Sequence, residues 1–145
     1  MLRFTPALPR DVQLLYTLNK ELIDRYEDIS SIDYDRVLAW VRNHIEQNIH
    51  AFSRVLHQEE LVGFYCMLVS EEAAELDSLF VLLPFQNQGI GTAILEHCKH
   101  NASSLLLYVF RNNTGAIRLY QRTGFQITEE VSKTRLIMTW KNQGC

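Results

Sequence analysis

The length, composition and charge of the chain limit what it can be. Its 145 residues, 47% hydrophobic and 21% charged, are typical of a single globular domain spanning residues 1–145. A formal net charge of −3 gives no basic surface, so we expect no nucleic-acid partner. The longest apolar run, Leu61 to Val69, is far shorter than the about 20 residues that cross a bilayer. We therefore expect no membrane partner.

The first residues and the cysteines favour a cytoplasmic protein. The segment MLRFTPALPR lacks the long apolar core of a signal peptide. Cys66, Cys98 and Cys145 have no C-x-x-C spacing, and Cys66 lies inside the apolar run. The position of Cys66 is better explained by a buried thiol in a reducing compartment than by a catalytic cysteine. His97 and His100 flank Cys98, but histidine also suits a helix C-terminus, so we expect no metal.

The N-terminal part has the pattern of one strand followed by two helices. Residues 2–5 form the strand, and Pro9 opens a helical pattern that runs to about Tyr26. The second helix has an apolar stripe between residues 37 and 45, and either Ser31 or Asp33 could cap its N-terminus.

After His50 the spacing of apolar residues becomes that of strands. Residues 51–57, 61–69 and 75–83 are short β-rich runs, and the first two suggest a hairpin. A helix then ends near His100 and is followed by a strand at 104–109, a helix at 113–123 and two last strands. Gly124 stands where a left-handed helix cap belongs. The order β-α-α-β-β-β-α-β-α-β-β predicts an α/β protein with a mixed sheet.

The segment at 86–91, Gln-Asn-Gln-Gly-Ile-Gly, lies where a strand ending at Val81 runs into a helix. A helix N-terminus offers unpaired N–H groups to an anion, and glycine lets that backbone come close. A dinucleotide-binding fingerprint would need a third glycine at Ile94, and a nucleoside-triphosphate loop would need a Gly-Lys pair, which the sequence lacks. Both of these phosphate loops are excluded.

The remaining pattern, Q-x-x-G-x-G, resembles the acetyl-coenzyme A loop of the GNAT superfamily of N-acetyltransferases. The resemblance covers residues 61–140 and continues in the N-x-x-A, L-Y and G-F motifs at 113–116, 119–120 and 124–125. Gln86 replaces the more frequent arginine of that family. The resemblance implies the GNAT fold, an α/β fold with a mixed, mostly antiparallel central sheet that splays between strands 4 and 5 and has helices on both faces.

The resemblance also implies acetyl-coenzyme A as co-substrate, no metal ion and an amine as acceptor. The pantetheine arm would pair with the backbone of strand 4, and the N–H groups at 88–92 would hold the pyrophosphate. The implied cofactor-binding residues are Leu79, Phe80, Val81, Gln86, Gln88, Gly89, Ile90, Gly91, Thr92, Asn113 and Tyr120.

Two residues are implied to be catalytic. Tyr120 matches the family tyrosine that protonates the leaving thiolate, and a phenol with a pKa of about 10 can donate at neutral pH. The alternative for Tyr120 is a core aromatic. Glu75 matches the glutamate that serves as base in the histone-acetylating branch. Alternatives for the base are Asp77, on the same strand face, and a water chain, and Glu75 could equally be an exposed acid.

The acceptor is less well defined by the sequence. Residues 21–35 carry six acids against Arg25, which weakly favours a cationic amine such as a polyamine or a lysine side chain, although a solvated helix end also explains them. We expect acetyl transfer to a primary amine of a small molecule, protein or peptide by direct attack in a ternary complex. A non-catalytic acyl-coenzyme A-binding module and transfer of a longer acyl chain are the alternatives. The oligomeric state stays open, and a homodimer is one option.

Overall fold

The structure, a computed structural model, describes residues 1–70 and 73–143. Cys145 lies outside these ranges. The element order matches the one predicted. The elements are β1 (Leu2–Pro6), α1 (Val12–Tyr26), α2 (Tyr34–Gln47), β2 (Phe52–His57), β3 (Glu60–Val69), β4 (Ala74–Val81), α3 (Ile90–His100), β5 (Ser104–Phe110), α4 (Thr114–Arg122), β6 (Gln126–Glu130) and β7 (Arg135–Lys141).

The helix ends show which residues set the helix boundaries. Pro9 begins a 3₁₀ turn, Pro9–Asp11, that runs directly into α1 at Val12. The prediction that Pro9 opens a helical segment ending at Tyr26 is therefore confirmed, with a first turn that is 3₁₀ rather than α. Asp33 rather than Ser31 caps α2, since its Oδ1 accepts a hydrogen bond from the backbone N–H of Arg36 at 3.3 Å. Gly124 follows α4 with φ +100°, which confirms the left-handed cap.

The sheet has seven strands in the order β1-β2-β3-β4-β5-β7-β6. β4 and β5 run parallel, and the other neighbours run antiparallel. Among the described residues, β4 and β5 pair only at Ala74 with Leu105 and at Glu75 with Leu106. Beyond those pairs the two strands diverge toward their C-terminal ends. The predicted splay between strands 4 and 5 is confirmed.

Helices cover both faces of this sheet, as predicted. On one face α3 and α4 pack over a cluster that includes the fully buried Ile94, Leu107 and Met138. On the other face α1 and α2 pack over a second cluster, in which Ile45 and Phe64 are fully buried. Burial of apolar area, worth about 25 cal/mol per Å², thus holds the sheet from both sides.

β4 contains a β-bulge at Asp77. The pairing of β3 with β4 shifts by one residue between Cys66 and Met67, so Asp77 is the extra residue on β4. In a regular strand Leu76 and Leu79 would face opposite sides. Because of the bulge, both pack toward the α3–α4 cluster. The bulge therefore changes the direction of β4 side chains at the point where the strand leaves β5.

Candidate active site

A cleft of about 1170 Å³ lies between the diverging strands β4 and β5. The N-termini of α3 and α4 border one end of it, and α1 and α2 border the other. Of the residues predicted from the sequence, Gln88 does not line the cleft; its side chain donates to the carbonyl of Pro84 at 3.4 Å. Those that do line it are Glu75, Leu79, Phe80, Val81, Gln86, Gly89, Ile90, Gly91, Thr92, Asn113 and Tyr120.

The splayed part of β4 presents backbone groups to the cleft. Along this stretch β3 pairs with one edge of β4, while β5 has moved away from the other. Backbone N–H and C=O groups in such a position need partners. One partner is a side chain, because Gln86 Nε2 donates to the Val81 carbonyl at 2.9 Å. The remaining edge can pair with an extended, amide-bearing ligand.

The glycines of the loop have two different functions in the structure. Gly89 is the N-cap of α3 and has φ +82°, with no atom within 4 Å of an ideal Cβ. Glycine adopts this left-handed conformation without strain. A Cβ on Gly91 would instead lie 3.0 Å from Leu119 Cδ2 on α4. Gly89 therefore shapes the turn, and Gly91 lets α3 and α4 approach each other beside the cleft.

Asn113 caps α4 and also faces the cleft. Its Oδ1 accepts a hydrogen bond from the backbone N–H of Ala116 at 3.3 Å. The side-chain oxygen is thereby oriented by the helix, and the amide Nδ2 is left as a donor. The capping function and contact with a ligand are thus compatible.

Tyr120 lies on α4 between the core and the cleft. Its side chain belongs to the α3–α4 cluster and is 9% exposed, and its ring centroid lies 5.8 Å from that of Phe125. No side chain or backbone group of residues 1–70 and 73–143 forms a hydrogen bond with its hydroxyl. Burial raises its pKa to about 12. The hydroxyl is therefore protonated at neutral pH and free to donate into the cleft.

Glu75, Asp77 and His44 meet where β4 faces α2. His44 Nε2 lies 3.0 Å from Asp77 Oδ1, and Asn48 Nδ2 lies 3.4 Å from His44 Nδ1. Asn48 Nδ2 also donates to the backbone carbonyl of His44 at 2.8 Å. The carboxylate of Asp77 can only accept, so the imidazole donates to it through Nε2–H. The Trp40 ring stacks on the imidazole with centroids 4.8 Å apart. The imidazole is thereby held in one orientation.

The pKa of Glu75 is raised above its ordinary value. Burial is the main cause, and the negative charge of Asp77 adds to it, whereas His44 and Arg135 oppose the rise. Asp77 has the imidazole N–H as a partner. The two neighbouring carboxyl groups therefore have different environments, and Glu75 holds its proton more readily than an ordinary glutamate does.

The GNAT acetyltransferase family model matches residues 15–125. This chain belongs to that family. It is 38% identical over 74 residues to the peptidyl-lysine N-acetyltransferase YjaB of Salmonella typhimurium, covering 51% of this chain and 48% of that one. Over 104 residues it is 30% identical to the ribosomal protein bS18-alanine N-acetyltransferase of Escherichia coli, covering 57% and 70%.

Solved GNAT structures share the fold. The PaiA N-acetyltransferase of Thermoplasma acidophilum, in complex with coenzyme A, matches with a TM-score of 0.73 and 18% identity, covering 98% of this chain and 99% of that one. The chain spans about half the length of the first curated relatives that it matches, 48% and 45%. The structural likeness shows the fold, and the family model shows membership.

Most of the acids at 21–35 do not face the GNAT cleft. Of the six, Glu27 lines it. Asp24 instead accepts from Lys20 at 2.8 Å, and Asp33 caps α2. The acidic run therefore mainly stabilises the helix ends, so it does not support the expected preference for a cationic acceptor.

Metal binding and membrane spanning find no support in the part of the chain that is described. No three His, Cys, Asp or Glu side chains in it come together as metal ligands. His97 stacks on Phe4 with centroids 3.9 Å apart, while His100 Nδ1 lies 2.7 Å from the Glu96 carbonyl. No described helix is both long and apolar enough to cross a bilayer.

Sequence reasoning missed His44. The residue lies seven positions after Val37 and three after Val41, on the stripe that faces the sheet. A histidine on such a stripe has a polar partner or lines a cavity. That signal pointed to His44, but it did not identify Asp77 as the partner, because the two residues are far apart in sequence.

Proposed function

We propose that this chain transfers the acetyl group of acetyl-coenzyme A to a primary amine by direct attack in a ternary complex. The observation that carries the proposal is Tyr120, whose hydroxyl is a free donor at the cleft between the splayed strands. Relatives named for acetylation of lysine in peptides, of spermine and of an alanine support an amine as the acceptor.

The cleft suits the co-substrate. Its pantetheine arm has amide groups that can pair with the open edge of β4 at Leu79, Phe80 and Val81, as an added strand would. The N–H groups at 88–92 and the dipole of α3 favour the pyrophosphate. Gln86 and the Asn113 amide are further polar contacts for it. No metal ion is needed for these contacts.

The proposed reaction requires a base and an acid. Glu75 takes one proton from the ammonium group and passes it to solvent, and the neutral amine attacks the thioester carbonyl carbon. The C–N bond forms, the C–S bond breaks, and Tyr120 protonates the departing sulfur. The second proton lost by the nitrogen returns to Tyr120 through water. One proton is released overall, with an amide and free coenzyme A as products.

The alternative from another class is a non-catalytic acyl-coenzyme A-binding module. In that case Tyr120 would serve only as a core aromatic, and no amine would be acetylated. A further alternative is transfer of a longer acyl chain, which depends on the space beside Leu79 and Val81. Comparison of kcat/KM for acetyl-, propionyl- and octanoyl-coenzyme A distinguishes these acyl groups.

We also infer a cytoplasmic location and keep a homodimer as a prediction. Cys66 and Cys98 are buried free thiols, and burial raises the pKa of Cys98 to about 12. Such thiols are unreactive and are consistent with a reducing compartment. Light scattering after size exclusion tests the oligomeric state.

The melting temperature with and without acetyl-coenzyme A tests the function. A ligand at a hundred times its dissociation constant adds about 2.7 kcal/mol of stability, which is a shift of several degrees for a chain of this size. We expect the shift with acetyl-coenzyme A and none with ATP or NAD. Absence of a shift with acetyl-coenzyme A would reject the function.

A further inference from the structure

A wall of aromatic and cationic side chains lies on the α1–α2 side of the cleft. The Arg135 guanidinium is 4.9 Å from the Tyr108 ring centroid and 5.9 Å from that of Phe110. Phe110 stacks on Tyr26 at 6.2 Å, and the Arg25 guanidinium is 5.9 Å from the Tyr26 ring. All five side chains line the cleft, and we call them the cation–aromatic wall.

The cation–aromatic wall is positioned by the pairing of β5 with β7 and by a contact between α1 and the loop before β7. Arg135 pairs with Phe110 across β7 and β5, and Tyr108 lies two residues earlier on the same face of β5. The end of α1 is fastened to the loop before β7, because Thr134 Oγ1 donates to Glu27 Oε1. These contacts place Arg135 beside the Tyr108 and Phe110 rings, on the sheet face that α1 covers.

Arg135 has no carboxylate partner of its own. Within residues 1–70 and 73–143, no acid lies within 4.0 Å of its guanidinium, whereas the neighbouring Arg111 forms a 3.0 Å ion pair with Glu130. The positive charge of Arg135 does reach Glu75, because it opposes the rise in the pKa of that carboxyl group. A guanidinium that stacks on two rings and lacks a counter-ion is well placed to receive an anion from the cleft.

We propose that Arg135 binds a carboxylate of the acceptor and that the acceptor belongs to the amino acid class, with a primary amine and a nearby carboxylate on one small molecule. This inference rests on the proposed function. The ammonium group would lie at Glu75 and the carboxylate at Arg135. Glu75 pairs with Leu106 on one side of β5, and Arg135 pairs with Phe110 on the other. The two backbones are thus about 10 Å apart across the sheet and about 13 Å apart along it. The long side chains shorten this separation, so that the charge of Arg135 acts on Glu75.

The chemistry of the two groups explains the selectivity. Guanidinium binds carboxylate with two parallel hydrogen bonds, and such charged bonds are worth more than neutral ones. The Glu75 carboxylate binds the ammonium end of the same molecule. A polyamine or a lysine side chain within a peptide has no carboxylate at this distance and would leave Arg135 unpaired.

The experiment compares matched acceptors. Each amino acid is assayed beside its amide and its decarboxylated amine, with acetyl-coenzyme A saturating, in the wild type and in Arg135→Gln. We expect Arg135→Gln to lower kcat/KM about 10- to 100-fold for the carboxylated amines, the range for a charged hydrogen bond. The assays are run at a pH where kcat/KM no longer rises in either protein, so that loss of the Arg135 charge does not change the ionisation of Glu75. There, kcat/KM for the other amines and the KM for acetyl-coenzyme A should change less than about twofold. Arg111→Gln, which removes a guanidinium outside the cleft, is the control.

Each other outcome counts against the subsite. An equal loss of kcat/KM for an amino acid, its amide and its decarboxylated amine would overturn the subsite and leave the proposed function standing. Acetylation only of amines without a carboxylate would do the same. The subsite is also overturned if acetyl-coenzyme A raises the melting temperature but no carboxylated amine is acetylated. If acetyl-coenzyme A does not bind, both proposals fail. Should Arg135→Gln not fold, Arg135→Lys carries the comparison, because it keeps the charge and loses the two-pronged contact.

Discussion

Tyr120 is the residue at which packing and chemistry coincide. Its ring belongs to the α3–α4 cluster, while its hydroxyl has no protein partner among the described residues and faces the cleft. A buried tyrosine in a purely structural position usually has a hydrogen-bond partner for its hydroxyl. The missing partner therefore argues for a proton donor and against a core aromatic alone.

Tyr120→Phe should separate the two functions of this residue. We expect kcat to fall about 100-fold, the lower range for loss of a general acid. The melting temperature and the affinity for acetyl-coenzyme A should stay within error, because the ring still fills its place. Steady-state kinetics and a melting curve measure this. Tyr34→Phe, whose hydroxyl bonds Asp24 away from the cleft, is the control, and an unchanged kcat would refute the acid.

Glu75 makes the stability of the chain depend on pH. Because the folded-state pKa is raised above the ordinary value of 4.5, the folded state binds its proton more tightly than the unfolded state does. The free energy of unfolding therefore falls as pH rises from about 4.5 through the raised pKa. Glu75→Gln should melt at a higher temperature than the wild type at pH 7, and the difference should shrink at pH 4.

The same variant tests the base. In the wild type kcat/KM should rise with pH as Glu75 ionises, which gives the pH profile a rising limb. Glu75→Gln should lose this limb, and its rate should be about 100-fold lower. Asp77→Asn is the matched variant on the same strand. If the limb survives in Glu75→Gln and disappears in Asp77→Asn, Asp77 is the base.

At the scale of elements, the loop between β4 and α3 depends on one backbone conformation. Gly89→Ala places a Cβ at φ +82°, where an L-residue costs about 1 kcal/mol or more, and no atom lies within 4 Å to clash with it. The melting temperature should fall by about 3 °C, and acetyl-coenzyme A should bind more weakly because the N–H groups move. Gly115→Ala, also without neighbours but in the first turn of α4, should be neutral or stabilising. Equal effects of the two substitutions would contradict this.

Local patterns predicted the elements well and their details less well. The periods of apolar residues and the caps at Asp33 and Gly124 are properties of short segments, so the sequence shows them. The 3₁₀ form of the turn before α1 and the bulge at Asp77 were missed. A bulge arises from pairing with β3, and that partner is distant in the sequence.

At the scale of the whole molecule, the cleft is the gap between β4 and β5, which the helices packed on the two faces of the sheet do not fill. The clusters on the two faces hold β4 and β5 in one sheet, yet within residues 73–143 the two strands pair at two positions only. The N-termini of α3 and α4 border this gap on one side, and α1, α2 and β7 border it on the other. Cofactor and acceptor can therefore meet from opposite sides of the sheet.

The sequence by itself determined the family and predicted the residues of the proposed cofactor half of the site. The residues of the Q-x-x-G-x-G loop and the N-x-x-A, L-Y and G-F motifs lie within about 40 positions, since one strand-helix-strand-helix unit builds that half. Only the tertiary structure brought together the residues of the proposed acceptor half. His44 meets Asp77 across 33 positions. Arg135 meets Tyr108 and Phe110 through the pairing of β5 with β7, and Tyr26 stacks on Phe110 through the packing of α1. Contacts between distant segments follow from how the layers pack, which no local pattern of residues shows.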